Sequence, residues 1–307
     1  MAHSRWARVV EIGADNSLLV VLIATLGTLL LGLAPQIFVA DSWMTLVAGR
    51  EITEHGLPHH ESLTVIAQGR TWTDQQWLAQ LAFYGADVLA GLRATMLLHV
   101  ALVTTATALA IVGARRRGAT ARSTLLVVSA CLLVAPWSWT LRAQALALPL
   151  FVATLILLAS DRELARRRTL LVFPLLIVWA NVHGSVVVGA AIAAWAGVLG
   201  LGELALHRPT RATPWRSAAL VVLPWLCVLA TPYGTAVVAY YKLMFIDSPV
   251  AKAVTEWQAP KPHGYQIAFF VVAALSVVIV FLGRRRLSLF DLGVLALTLA
   301  GSLRSAR

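Results

Sequence analysis

The sequence predicts an all-α fold: a polytopic membrane protein of about nine transmembrane helices, with a polar outer first loop carrying amphipathic helices. Three observations lead there. Hydrophobic residues fill 59% of the 307 positions, charged residues only 13%, and mean hydropathy is +0.78. Apolar runs approaching the ~20 residues that cross a bilayer recur along the whole chain. When those runs are folded back and forth, sixteen of the 25 Lys and Arg fall on one side.

The runs are 17–38, 94–114, 123–139, 145–160, 169–206, 218–240, 266–282 and 289–303. The fifth is long enough for two helices, which brings the total to about nine. The basic side collects Arg5, Arg8, Arg115, Arg116, Arg117, Arg122, Arg208, Arg216 and Arg284 to Arg286 among others. Short cytoplasmic loops hold Lys and Arg, so this side and the N-terminus are expected in the cytoplasm and the loop after the first span outside. Residues 1–307 thus read as a single transmembrane domain, with 41–90 as the outer loop and no separate soluble domain.

Short arginine clusters at helix ends account for the pI near 10.8. Topology and anionic lipid head groups explain them, and no basic soluble domain accompanies them, so nucleic acid is excluded as a partner. Membrane lipid is the expected surrounding. Cys131 and Cys227 lie inside apolar runs and read as packing residues. The first apolar run exceeds the ~7–15 residues of a signal-peptide core and is read as a retained span.

Between the first and second runs, Asp41 to Leu78 is polar, with several acids and three His. Trp43, Leu46, Val47 and Ile52 recur at helical spacing and predict an interfacial helix over 41–55, stopped by Gly56 and Pro58. A second amphipathic helix is expected over 74–89, with Trp77, Leu81, Tyr84 and Val88 on one stripe. From Thr169 to the break at Asn181-Val182-His183-Gly184-Ser185 is about twelve residues, or ~18 Å of helix, short of the ~30 Å hydrocarbon layer. A second early break falls at Thr231-Pro232-Tyr233-Gly234. Irregular backbone at membrane depth is tolerated where it lines a wet cavity, so a cavity opening outward beneath the first loop is expected.

Acids able to act as a base share this side with cations able to hold an anionic leaving group. Asp41 stands where the first span ends; it reads as a catalytic or substrate-contacting carboxylate, with helix N-capping as the competing role. His183, ionisable at membrane depth, is by default functional. Arg142 is the best phosphate ligand of the outer side. Glu61 and Glu256 are further acids. His59-His60-Glu61 does not have diagnostic ligand spacing, so no metal is assigned; a divalent ion is compatible with the acids but not indicated.

Asp41-Ser42-Trp43, Gly49-Arg50-Glu51-Ile52, Gly56-Leu57-Pro58, Trp77-Leu78, Leu141-Arg142-Ala143-Gln144, Trp179-Ala180-Asn181-Val182-His183-Gly184-Ser185, Thr231-Pro232-Tyr233-Gly234 and Glu256-Trp257, taken in this order, resemble bacterial multispan proteins related to the GT-C glycosyltransferases. The resemblance covers nearly the whole chain. It implies an outward active site under the first loop, an acid of that loop as base and a polyprenyl-phosphate-linked sugar as donor. The acceptor would be a glycan, lipid or protein. Asp41 takes the position of the first-loop acid, with Glu61 and Glu256 as the other catalytic candidates. Arg142 and His183 would lie near the donor phosphate, and Asn181, Tyr233 and Trp77 complete the substrate-binding set. Gln76 stands where relatives are expected to carry an acid. The chain also ends directly after an apolar run where relatives continue, which reads as a truncated member.

The alternatives are a transporter or flippase of lipid-linked substrates, which also uses broken helices, and a non-catalytic or truncated glycosyltransferase-like subunit. Clustering of the breaks on the outer side, with no inverted repeat, favours the enzyme.

Overall fold

The computed structural model describes residues 2–65, 67–134, 139–164, 167–210, 212–245, 258–264 and 266–304. Every regular element among them is helical, apart from an isolated bridge between His60 and Thr71. Helix α1 spans Ala2–Gly32 and is followed by the single turn α2, Ala34–Ile37. Helix α3, Ala40–His55, ends at Gly56, whose φ of 85° makes the turn accessible to glycine. Helix α4, Trp77–Arg116, is broken at Ala90 and Gly91, so the expected surface helix and the span after it are two legs of one kinked element. Then come α5 (Ala121–Val134), α6 (Ala147–Leu164), α7 (Val172–Val182), α8 (Val186–Ala205), α9 (Pro214–Val228), α10 (Ala236–Phe245), α11 (Gln266–Gly283) and α12 (Leu289–Arg304).

Among the described residues, three helices are long and apolar enough to cross a membrane: Trp77–Arg116, Val186–Ala205 and Gln266–Arg286. The last has a mean hydropathy of 2.6 and no buried residue in its span. A helix apolar all round that buries nothing against protein needs hydrocarbon around it. The chain is a membrane protein. The remaining apolar helical stretches, such as Asn16–Gly32 and Ala143–Ala159, are shorter, between 10 and 17 residues. The run expected as one span over 218–240 is divided between α9 and α10, because Thr231 to Thr235 turn instead of continuing the helix.

The main core lies between α6, α7, α8 and α9. Trp179, 2% exposed, is its largest side chain, set edge-on to Phe151 at 6.0 Å. Helices α8 and α9 meet through glycine: a Cβ on Gly197 would stand 2.6 Å from the carbonyl oxygen of Ser217. Close helix approach through small residues replaces the missing hydrophobic drive between helices in lipid. A second cluster, Leu46, Phe83, Leu141 and Ala145, ties α3 and α4 to the strand-like segment before α6. At the opposite helix ends, Arg117 makes a two-pronged ion pair with Asp291 at 2.9 and 3.1 Å, joining the α4–α5 turn to α12.

The face that α3 buries differs from its expected stripe. Trp43 and Val47 are exposed, while Ser42, Thr45, Leu46, Ala48, Gly49 and Ile52 are buried. The reason is the proximity of α4, which requires a small residue at the closest approach; a Cβ on Gly49 would stand 2.6 Å from that of Tyr84.

Candidate functional site

A cavity of about 310 Å³ lies between α3, the loop to α4, the start of α4, the segment Arg142–Gln144 and the turn after α7. Asp41, Glu61, Asp74, Gln76, Gln80, Arg142, Gln144 and His183 are among the polar groups that line it.

Arg142 is positioned through its neighbour. The Leu141 N–H donates to the Ile37 carbonyl at 2.9 Å, and the Leu141 carbonyl accepts from Ser42 Oγ at 2.6 Å. Ser42 Oγ in turn accepts the Val39 N–H at 3.0 Å. One hydroxyl therefore stitches the start of α3 to the segment that carries the guanidinium. Arg142, 11% exposed at its side chain, pairs with Asp41 at 3.2 Å. Asp41 is not the cap of α3: Val39 holds that position, and Asp41 sits in the first turn, where the helix dipole favours an acid. Its side chain is 49% exposed, so the carboxylate remains reachable.

His183 occupies the extended residue between α7 and α8. Its Nδ1 accepts the Ser185 N–H at 3.1 Å and lies 2.8 Å from Ser185 Oγ. Ser185 Oγ also accepts the Trp179 indole N–H at 3.0 Å, so the core tryptophan holds the turn in place. With Nδ1 an acceptor, the neutral ring carries its proton on Nε2.

Glu61 spends Oε1 on the N–H groups of Leu63 and Thr64, at 2.8 and 2.9 Å, and so shapes the loop as well as lining the cavity. Trp77, Asn181 and Tyr233 do not line the cavity; they build its walls. The Trp77 indole donates to Asn181 Oδ1 at 2.9 Å, and the Asn181 amide donates to the carbonyls of Ile177 and Ala230. Asn181 thus joins α4, α7 and the end of α9. The Tyr233 hydroxyl donates to the Pro58 carbonyl at 2.9 Å, clasping the loop to the second helix break. The two breaks therefore divide the work, one supplying His183 and the other a clasp. Glu256 lies outside the described residues.

Asp74, one of the outward-facing polar groups expected near the cavity, and Gln80, which the apolar stripe beside it obscured, both belong to the site. The readable signal was the i, i+4 pair Gln76 and Gln80 on the other side of that stripe. Asp74 is 4% exposed, and burial pushes its carboxyl up to about 6, against bonds from Gln76 and Gln80 that pull the other way. A carboxyl more basic in the folded state than its ordinary 3.8 makes the fold most stable below about pH 4 and less so as pH rises toward 6. Asp74→Asn keeps an acceptor for both bonds and removes the charge. In thermal unfolding between pH 4 and 8, the wild type is expected to lose about 3 kcal/mol relative to the variant across that window. Parallel pH curves would contradict this.

Among the described residues no group of three or more His, Cys, Asp or Glu is arranged to hold a metal ion. No protein-family model, curated protein or solved structure matches this chain.

Proposed function

We propose that this chain is a membrane glycosyltransferase of the GT-C type, moving a sugar from a polyprenyl-phosphate donor to an acceptor hydroxyl outside a bacterial plasma membrane. In this reading about nine spans cross the bilayer, some of them broken, and the arginine clusters face the cytoplasm. The observation that carries it is the convergence of Asp41, Arg142 and His183 on one cavity, from residues 142 positions apart at the extremes.

The arrangement suits displacement at an anomeric carbon. Asp41 accepts the proton of the acceptor hydroxyl as its oxygen bonds to that carbon, and the bond from carbon to phosphate oxygen breaks. The electron pair departs with the phosphate, which Arg142 and the His183 Nε2–H hold as its charge grows. Before substrate arrives, the Asp41 carboxylate neutralises Arg142. An incoming phosphate competes for the guanidinium and releases the carboxylate for its work as base. Positioned bases and charge-stabilising donors each contribute on the order of 10²-fold or more in rate.

Radiolabelled transfer from polyprenyl-phosphate sugars, measured in membranes containing the full chain, tests the reading. Asp41→Asn is expected to lower transfer by at least about 10²-fold while donor binding persists. Full activity in that variant would remove Asp41 from the mechanism. Movement of the lipid-linked sugar across the membrane with no covalent change would favour a flippase instead.

A further inference from the structure

The corner of the cavity built by Glu61, Asp74 and Gln80 presents hydrogen-bond acceptors. Asp74 Oδ1 accepts the Gln76 N–H at 2.9 Å and the Gln80 side-chain amide at 3.2 Å. The second bond settles which way the Gln80 amide points, because its oxygen would be repelled by the carboxylate. Gln80 Oε1 is consequently turned elsewhere, and it is buried with no donor among the described residues. A buried amide oxygen left in this state costs about 1–3 kcal/mol, which a ligand donor would recover. Glu61 lies near enough to Asp74 for their charges to interact, and its own Oε1 is already occupied by two backbone N–H groups. The second oxygens of both carboxylates have no donor among the described residues. Trp72, 45% exposed, lines the same cavity.

We propose that Asp74 and Gln80 are the specificity-determining residues of this site, reading adjacent hydroxyl groups of a bound sugar ring whose C–H face lies against Trp72. The assignment rests on the sugar-transfer reading of the cavity and deepens it. A ligand here must bring donors to this corner, since further acceptors would be repelled. Neighbouring hydroxyls on a sugar supply two donors at the spacing of an adjacent amide and carboxylate, and a sugar's apolar face matches an exposed indole. At the other side of the site, Arg142 and His183 offer donors to an anion. The cavity therefore suits a polyhydroxylated group linked to a phosphate.

Full-length protein in lipid nanodiscs, with EDTA present, can be probed with methyl glycosides of hexoses and pentoses by saturation-transfer NMR. The wild type is expected to transfer saturation to the ring protons of at least one glycoside. Gln80→Leu and Trp72→Ala are each expected to weaken that binding about tenfold or more, with thermal unfolding close to wild type. Trp72 is half exposed, so its variant keeps the test open if Gln80→Leu fails to fold. Absence of saturation in the wild type, equal binding by wild type and Trp72→Ala, or binding only after Mg²⁺ replaces EDTA would overturn the proposal. Glycoside binding that depends on Gln80 and Trp72, found together with no sugar transfer, would uphold this corner and remove the transferase reading.

Discussion

Arg142→Ala is expected to leave a folded protein that has lost sugar transfer by about 10²- to 10³-fold. The two effects separate because of where the guanidinium sits. Its partner Asp41 is half exposed at its side chain, so the carboxylate left behind is solvated. An ion pair with one exposed member contributes about 1 kcal/mol or less to stability. The atoms removed border an existing cavity, so no closed void forms. During transfer, by contrast, phosphate charge grows beside a guanidinium that is itself only 11% exposed, and a sheltered, fixed cation is worth most there. Arg142→Lys should recover only part of the rate, because an ammonium keeps the charge but lacks the planar fork that grips two phosphate oxygens. Measuring transfer and thermal unfolding on the same membranes checks both halves. A variant that transfers normally would remove Arg142 from the leaving-group site.

Gly49→Ala is expected to reduce stability by about 1–3 kcal/mol and to abolish activity although Gly49 touches no substrate. Its added methyl would meet the backbone carbonyl of Gln80 and stand 2.6 Å from Tyr84 Cβ. Backbone cannot rotate out of the way as a side chain does, so α3 must lift from α4. That movement carries Asp41 away and disturbs Gln80 in one step, since both helices border the cavity. Alanine favours an isolated helix over glycine by about 1 kcal/mol; the prediction therefore has the opposite sign to that of intrinsic propensity. Near-wild-type unfolding and transfer in Gly49→Ala would show that the helices tolerate a wider spacing.

Several elements were legible in the sequence because their causes are local. Gly56 and Pro58 stop α3 where expected, and the 181–185 and 231–234 segments interrupt their helices as expected. The polarity of the loop before α4 drew attention to a segment that borders the cavity. Its inner detail was less legible. Trp77, Asn181 and Tyr233 looked like substrate contacts, yet their polar atoms are used in holding walls together. Asp41, read as a catalytic or substrate-contacting acid with helix capping as the competing role, is not the cap and pairs with Arg142. Asp74, one acid of several in a polar stretch, became distinctive through its burial.

By itself the sequence determined the helical class, the need for hydrocarbon and the breaks, since hydropathy, glycine and proline act over a few residues. Only the tertiary structure decided which polar groups share a cavity. That choice depends on contacts across long stretches of chain, such as Ser42 with Leu141 and Gly49 with Gln80. The Asp41 to Leu78 segment is polar in any fold. It becomes a site when a glycine lets α3 approach α4 and a serine hydroxyl sets Arg142 beside Asp41.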